Sequence, residues 1–225
     1  MAKQERALRT RNALIESAAE LFTRDGYETV PLSAISARAG VSNGALHFHF
    51  ASKAALAGAV GGAAVLRFGR ITAAQRPPGA GGSLQTLIDV SHVLLHALGH
   101  DVVLRAGFDL CDGQERCGAD ENLRRRWQQW VEESLVRAER EGLLARGVAA
   151  RDVVTVVVAA TVGLATLGAR DIRWMSPSRL TRFWVLLLPG LARPAALGVL
   201  EASGRRVAAG GGGPVPMARA AAGRC

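Results

Sequence analysis

Cysteine is scarce in this chain of 225 residues, and its three copies are an odd number. Cys111, Cys117 and Cys225 form no C-x-x-C pair of the kind that binds a metal. This usage indicates free thiols in a reducing cytoplasm rather than a disulfide framework. We therefore expect a cytoplasmic protein with no resident metal and no other cofactor.

An export signal and a long apolar span are also missing from the sequence. Residues 1–11 are charged and helix-like, unlike the basic stub and apolar run of a signal peptide. The strongest uncharged run is 153–169, which is shorter than the roughly twenty mostly apolar residues that a span needs. Its threonines and glycines suit a helix buried between protein neighbours, so we expect no membrane partner.

Acidic residues are outnumbered, with 19 Asp and Glu against 28 Lys and Arg, which gives a net charge of +9. Residues 1–53 carry only +2 of this excess, and the segment from Arg193 onwards has five arginines against Glu201 alone. A basic protein fits a polyanionic partner. Net charge by itself does not choose among nucleic acid, a membrane surface and an acidic protein.

No segment alternates as a strand, and apolar residues recur at helical steps throughout. An amphipathic helix is predicted over 8–24, ended by Gly26, and Pro31 suits the first turn of a second helix over 31–39. A third helix follows Ser42, and a fourth spans 53–72. After a proline- and glycine-rich loop at 76–82, further helices are expected near 83–98, 101–111, 121–142, 149–171, 177–189 and 191–202.

Residues 35–50 carry most of the functional information. A short helix, a turn containing Gly40 and a second short helix form the unit that places its second helix in the major groove of DNA. Val41 would plug the junction between the two helices, and Ser42 would cap the second one. Gly44 removes a side chain where that helix could approach the sugar-phosphate backbone.

This segment resembles the TetR-type repressors. The residues in register with the family signature are Asp25-Gly26-Tyr27, Ile35, Ala39-Gly40-Val41, Gly44, Leu46, Phe48, Phe50, Ser52-Lys53 and Leu56. Within the family, residues 3–11 and 44–50 look most like the γ-butyrolactone receptor group of actinomycete regulators, which controls antibiotic production. The resemblance implies a repressor, not an enzyme, that leaves its operator when a small hydrophobic signal binds.

The implied fold is all-α, with an amino-terminal three-helix helix-turn-helix domain and a helical ligand-binding and dimerisation domain. We expect the DNA-binding domain at 1–72 with its core at 31–50, the second domain at 73–203, and a disordered glycine- and alanine-rich tail at 204–225. The partners would be double-stranded operator DNA, a small-molecule inducer and a second copy of the chain. The dimer interface would lie on the helices around 149–171 and 177–189.

The resemblance also assigns DNA contacts, divided between the groove and the phosphates. The residues expected to face the groove are Ser42, Asn43, Gly44 and Leu46, and those expected near phosphates are His47, His49 and Lys53. The alternative for Leu46, Phe48 and Phe50 is that they belong to the core, which we expect for the two phenylalanines. His47 and His49 are two residues apart and do not share a helix face, so we expect no zinc there.

Three departures from the family pattern bear on DNA recognition. Val30-Pro31 stands where the family usually has Thr-Thr, which removes a hydroxyl cap and its phosphate contact. Asn43 stands where a basic residue is frequent, and His47 where tyrosine is usual. Asparagine can pair with adenine edges, whereas lysine mainly contacts guanine or phosphate, so we expect an altered base preference.

For the signal, the resemblance points to Trp127 in the pocket, where an indole can stack on a ligand and donate a hydrogen bond. Thr161 is the second candidate, although a buried threonine can also bond its own helix backbone. Trp130 and Trp174 are weaker candidates. A pseudo-receptor that answers to an antibiotic or a biosynthetic intermediate is the close alternative, which small residues at 61–64 near a pocket entrance would favour.

The alternative from another class is a helical small-molecule enzyme or carrier. Its best support is a row of histidines four apart, His92, His96 and His100, which could bind a metal or carry protons. We expect Gly99 to interrupt the helix before His100, and no carboxylate partner is evident. The histidine row therefore gives little support to an enzyme.

Overall fold

The computed structural model describes residues 2–73, 81–110 and 122–205, and its regular structure in these ranges is helical. The helices are α1 (Ala2–Asp25), α2 (Leu32–Arg38), α3 (Asn43–His49), α4 (Lys53–Ala73), α5 (Gly82–His100), α6 (Val102–Leu110), α7 (Leu123–Arg140), α8 (Ala150–Gly168), α9 (Pro177–Leu191) and α10 (Pro194–Leu197). A 3₁₀ helix, Ile172–Met175, joins α8 to α9. Within the described ranges, β-structure is limited to one isolated bridge between Leu144 and Ala192. The all-α prediction is confirmed.

Helices α1 to α4 form the amino-terminal unit because each buries one apolar face. Leu14 and Ala18 of α1, Ile35 of α2 and Leu46 of α3 are completely buried in the shared core. Gly26, with φ +84°, ends α1, and its amide donates to the carbonyl of Phe22. α1 starts at Ala2, earlier than the apolar pattern from residue 8 indicates, because the polar residues Gln4, Glu5 and Arg6 before that pattern are exposed and give no apolar signal.

The second unit is assembled around α5, α7 and α8, with α9 packed against α5 and α8. Its centre contains two tryptophans, Trp127 of α7 and Trp184 of α9, and both are fully buried. Glu141, just after α7, ties the start of α5 by accepting from the backbone amide of Ser83 at 2.8 Å and from its hydroxyl at 2.7 Å. These contacts fix the carboxy-terminal helices as one packed body.

Helix α6 joins the two units, since it packs against α4 and α1 as well as α5 and α7. The crossing with α4 is so close that a β-carbon at Gly107 would clash with the side chain of Ala64. Arg67 of α4 is ion-paired with Asp101, the residue before α6, and lies 3.7 Å from Glu16 of α1. Asp101 also caps α6 by accepting from the amides of Val103 and Leu104. Helix α6 is therefore in direct contact with α1 and α4 of the amino-terminal unit.

Several predicted helix ends are wrong. Helix α5 continues through Gly99 to His100, because a single glycine costs only about 1 kcal/mol and the turn is held by tertiary contacts. α9 continues past Pro189, where the sequence predicts its end, and α8 stops at Gly168 and not at the predicted residue 171. The helix expected over 191–202 is reduced to the four residues of α10.

The prediction for the tail falls mostly on residues outside the described part of the chain. Its first two residues, Gly204 and Arg205, are ordered. The amide of Arg205 donates to Asp89 Oδ1 at 2.7 Å, and Gly204 lies against the ring of His92. Of the loop predicted at 76–82, only Gly81 and Gly82 are among the described residues. The three cysteines also lie outside the described residues.

Two helices, α4 and α8, are long and apolar enough to cross a membrane, and α5 with α6 would qualify as one bent span. This corrects the expectation that the 153–169 run is too short, because α8 also includes residues 150–152. Both helices pack against others in the fold, α4 on α6 and α1, and α8 on α7 and α5. These contacts are those of helices in a folded helical protein.

Candidate DNA interface and ligand cavity

Helix α3 lies on the surface of the amino-terminal unit with one polar edge exposed. Its start is fixed by Ser42, whose hydroxyl accepts a hydrogen bond from the amide of Ala45 at 3.2 Å, as predicted for the cap. Gly40, with φ +68°, makes the turn that precedes it. Ser42, Asn43, Gly44 and His47 are all exposed, so this edge presents polar groups to a partner.

Asn43 is exposed, and its side chain is held in place by a hydrogen bond to α2. Its side-chain oxygen accepts from the hydroxyl of Ser36 on α2 at 2.5 Å, which leaves the amide NH₂ free of that contact. A β-carbon at Gly44 would touch only the Ser42 hydroxyl, at 3.9 Å. Packing within the protein therefore does not require glycine at position 44, which agrees with a role in close approach to a partner.

Burial of the large hydrophobic residues in and just after α3 differs from the prediction. Leu46 is completely buried, so the expectation that it faces the groove is wrong and the core alternative is correct. Phe50 is 4% exposed and belongs to the core as predicted, with the guanidinium of Arg11 at 5.2 Å from its ring centre. Phe48 is 82% exposed, so its assignment to the core is wrong.

Phe48 is therefore a candidate contact residue that the sequence analysis missed. Its ring meets the ring of His49 edge-on, with centroids 5.2 Å apart. The helical steps of α3 give the signal that could have found it. Residues 46 and 50 are four apart and share the buried face, which places residue 48 on the opposite side of the helix.

Lys53, at the start of α4, is held by the protein itself. Its ammonium donates to the backbone carbonyl of Glu28 at 3.1 Å and lies 4.7 Å from the centre of the Tyr27 ring. His47 is exposed and His49 is half-buried on the last turn of α3. Pro31 precedes α2 with no side-chain cap, as expected from the loss of the family's hydroxyl there.

The second site is a small cavity inside the carboxy-terminal unit. Its lining comes from four helices and consists of Ser91, Leu94, Leu95, Leu98, Phe108, Trp127, Thr161 and Val162. The open space is about 10 Å³, which holds about one water molecule. The two ligand candidates from the sequence both line it, whereas Trp130, Trp174 and residues 61–64 do not.

Trp127 and Thr161 are joined directly. The indole Nε1 donates to the hydroxyl of Thr161 at 2.7 Å, and that hydroxyl donates to the carbonyl of Val157 at 2.9 Å. The indole of Trp127 also stacks on Trp130, with centroids 5.4 Å apart and a 12° angle between the planes. A ligand that took the indole hydrogen bond would have to replace Thr161 as its acceptor.

A second indole–hydroxyl pair was not predicted. Trp184 Nε1 donates to the hydroxyl of Ser91 at 3.0 Å, and Ser91 in turn donates to the carbonyl of Ile88 at 2.7 Å. Ser91 lines the cavity, so two buried hydroxyls reach it from different helices. Serine and tryptophan 93 positions apart leave no periodic signal in the sequence, which is why this pair was missed.

Comparison with known proteins shows which family this chain resembles. The family model described as "Bacterial regulatory proteins, tetR family" matches residues 14–60, which include α2 and α3. A solved γ-butyrolactone receptor, described as an ArpA-like protein, is 30% identical with a TM-score of 0.74, over 85% of this chain and 92% of that chain. The chain belongs to the TetR family. This regulator is similar in sequence and fold to γ-butyrolactone receptors.

Two further relatives of this TetR regulator come from Streptomyces. The A-factor receptor protein of Streptomyces griseus is 29% identical over 213 residues, which are 91% of this chain and 72% of that protein. CprB of Streptomyces coelicolor, solved in complex with its biological operator sequence, is 29% identical with a TM-score of 0.72, over 84% of this chain and 92% of that chain. The family identifies the chain as a DNA-binding transcriptional regulator and not an enzyme.

Proposed function

We propose that this TetR regulator is a cytoplasmic repressor that covers an operator as a homodimer and is released by a small hydrophobic signal of the γ-butyrolactone class. Its genes would be those of antibiotic or other secondary-metabolite production. The observation that carries the proposal is the exposed edge of α3, where Ser42, Asn43 and Gly44 stand clear of the core beside His47 and Phe48. The domain division at 72/73 follows, with 1–72 for DNA and 73–203 for the signal.

On the DNA side, the proposed contacts differ in chemistry. Asn43 offers an amide that can pair with adenine, and the exposed ring of Phe48 can contact a thymine methyl group. Gly44 allows the close approach of the helix, Ser42 faces the groove, and His47 and His49 lie near phosphates. Lys53 acts near a phosphate while still bonded to Glu28, since a carbonyl uses only one of its three donors.

The signal site is the cavity between Trp127 and Phe108. A butyrolactone carries a ring carbonyl that could accept from the Trp127 indole and an alkyl chain that suits the leucines of α5. Support comes from the similar proteins, which are named as receptors of A-factor and of γ-butyrolactones. Because about 10 Å³ cannot hold such a molecule, binding requires the lining helices to separate.

Release follows from the position of α6. Phe108 lines the cavity, and its neighbour Gly107 crosses α4 at Ala64. A ligand that displaces Phe108 therefore moves α6 against α4, with Arg67 and Asp101 as the ionic contact between them. In a dimer, such a movement changes the spacing of the two α3 helices and weakens operator binding.

The dimer surface proposed here is the outer face of α8 and α9. Val156 on α8 and Val185 and Leu186 on α9 are large apolar side chains that the single chain leaves exposed. Exposed apolar side chains grouped on adjacent helices mark interaction surfaces. A second copy related by a two-fold axis would cover them and match a palindromic operator.

The test is a ligand screen on the protein–DNA complex. Fluorescence anisotropy of a labelled operator would be recorded while butyrolactones, butenolides and antibiotics are added separately. Release by a butyrolactone in the wild type, and loss of that response in Trp127→Phe, is the expected result. Trp174→Phe is the matched control, because Trp174 lies under Arg179 and outside the cavity.

Two other outcomes of the screen are informative. Release by an antibiotic or a biosynthetic intermediate alone would assign the pseudo-receptor function, with the same fold and DNA site. A response to butyrolactone that is equal in the wild type and Trp127→Phe would overturn the cavity as the signal site.

A further inference from the structure

We propose that His96 and His100 form a two-imidazole binding site for a borderline divalent cation such as Zn²⁺ on the outer face of α5. The two side chains are exposed and lie four residues apart on a continuous helix. The sequence argument against this row was a break at Gly99, and the structure shows that the helix runs on to His100. The proposal stands independently of the DNA-binding function.

The two rings are stacked on one face of the helix, with centroids 4.2 Å apart and planes that differ by 29°. Residues at i and i+4 are neighbours on a helix surface, so both imidazoles are within reach of one ion. Because the lone pair of an imidazole nitrogen lies in the plane of its ring, the exposed side chain of His96 must rotate out of the stack to meet an ion held by His100. Imidazole nitrogen is a ligand that suits zinc, copper and nickel.

The hydrogen bond of His100 fixes which of its nitrogens is available. Nδ1 lies 2.8 Å from the backbone carbonyl of His96, and a carbonyl can only accept. The proton of the neutral ring is therefore on Nδ1, which leaves the lone pair of Nε2 for a metal. A ligating histidine commonly donates its other N–H to a carbonyl in this way, and that bond orients the ring.

His92, the third histidine of the row, is bonded elsewhere and is not part of this site. Nε2 of His92 is 3.0 Å from the carbonyl of Ala202, so it ties the carboxy-terminal segment to α5. Among the described residues, no group of three or more His, Cys, Asp or Glu side chains could hold a metal. Water would therefore complete the coordination of an ion held by His96 and His100.

The charged residues Arg105 and Asp101, close to the pair in sequence, are engaged elsewhere and do not bind the ion. Arg105 donates to the carbonyls of Leu98 and Gly99 at the end of α5. Asp101 is engaged by Arg67 and by the start of α6 and does not serve as a ligand. The two histidines lie on the side of α5 opposite Leu94 and Leu98, which line the cavity. An ion bound by the histidines would therefore stabilise the last turn of α5 from its solvent-exposed side.

The test is a titration of the full chain with Zn²⁺ alone, read from the ring nitrogens of ¹⁵N-labelled histidines by NMR. This readout is specific to each histidine, so zinc bound to the thiols does not interfere. The Nε2 signal of His100 and a ring signal of His96 should shift together along one saturation curve. In His100→Gln, about tenfold more Zn²⁺ or higher should be needed to shift His96, because one of two ligands is lost.

His92→Gln is the matched control, and it should leave the shifts of His96 and His100 unchanged. Circular dichroism of each variant checks that α5 is intact, which is expected because both proposed ligands are exposed. An unchanged His96 titration in folded His100→Gln would overturn the proposal. So would the absence of any shift at His96 and His100 in the wild type at saturating Zn²⁺.

Discussion

At the scale of single residues, Phe48 and Phe50 are the same side chain in opposite surroundings. Phe50 is 4% exposed and Phe48 is 82% exposed, although only one residue separates them. An exposed aromatic ring on the helix proposed to face DNA contributes little to folding. We propose that Phe48 contacts the DNA, whereas Phe50 holds α3 against the core.

The two alanine variants should therefore separate binding from stability. Phe48→Ala should weaken operator binding while changing the free energy of unfolding by no more than about 0.5 kcal/mol. Phe50→Ala should lower it by about 3–5 kcal/mol, because a buried aromatic ring is removed. Urea denaturation and operator anisotropy on both variants check this. A stability loss in Phe48→Ala as large as in Phe50→Ala would contradict the assignment.

Single residues of the candidate DNA interface were only partly predictable from the sequence. The cap at Ser42 was predictable, because hydroxyls at that position satisfy free amides of the first turn. The orientation of α3 was not predictable from its seven residues alone, although the four-residue spacing of Leu46 and Phe50 could have placed Phe48 on the opposite, exposed face. The contact of Lys53 with Glu28 depends on residues 25 positions apart, which no local pattern reveals.

At the scale of elements, the bond between Trp127 and Thr161 links α7 to α8 across the cavity. Thr161→Val should lower the free energy of unfolding by about 1–3 kcal/mol, since it leaves a buried indole N–H unpaired. Trp127→Phe should cost less in the Thr161→Val protein than in the wild type, because the bond is already gone. A double-mutant cycle by urea denaturation measures this coupling.

The control for that cycle is Trp184→Phe, whose indole bonds Ser91 instead of Thr161. Trp184→Phe and Thr161→Val should have additive effects on the free energy of unfolding. Additive effects of Trp127→Phe and Thr161→Val would show that their bond does not hold α7 and α8 together.

The attachment of the carboxy-terminal segment to α5 gives a pH dependence. Burial lowers the pKa of His92 below its ordinary value, although the Ala202 carbonyl and Asp89 act in the opposite direction. The unfolded chain then binds more protons than the folded one as pH falls below about 6.5, so stability is lost in that window. Above it, His92 is neutral in both states and this contribution to stability is complete.

Urea midpoints measured between about pH 5 and pH 7 should show this loss, and His92→Gln should reduce the slope. Other groups titrate in both proteins, so the difference between the two curves reports His92. A slope that is identical in the two proteins would contradict the role of His92.

Element boundaries show a second limit of the sequence. Within the described residues, the helical type and approximate position of α1 to α9 were predictable from apolar spacing and from glycine and proline. Gly99 and Pro189 were misleading, because tertiary packing carries α5 and α9 past them. Residues 198–205 are fixed by hydrogen bonds of Gln85, Asp89 and His92, which a periodic pattern does not record.

At the scale of the whole molecule, the exposed apolar face of α8 and α9 predicts the assembly. Leu186→Glu should convert a dimer into a monomer in sedimentation velocity, because it places a charge on a side chain that is 82% exposed in the single chain. Leu66→Glu, at an exposed leucine of α4, should leave the dimer intact. Monomeric wild-type protein at micromolar concentration would overturn the proposed interface.

The molecule as a whole was also predictable only in part. The helix-turn-helix and the family resemblance correctly indicated an all-α regulator, and the two ligand candidates Trp127 and Thr161 were found in direct contact. The proposed route from cavity to DNA was not predictable, because it depends on α6 crossing α4 at Gly107 and Ala64. Such a crossing is set by tertiary packing and not by the spacing of residues along the chain.

The central claim is that α3 reads a DNA sequence, and selection of binding sites from random duplexes tests it most directly. Wild-type protein should enrich one palindromic sequence, and Asn43→Lys should enrich a different one, because lysine favours guanine where the asparagine amide favours adenine. Leu66→Glu, remote from α3, should select the wild-type sequence. Failure to enrich any palindrome, or an identical sequence from Asn43→Lys and the wild type, would contradict the account.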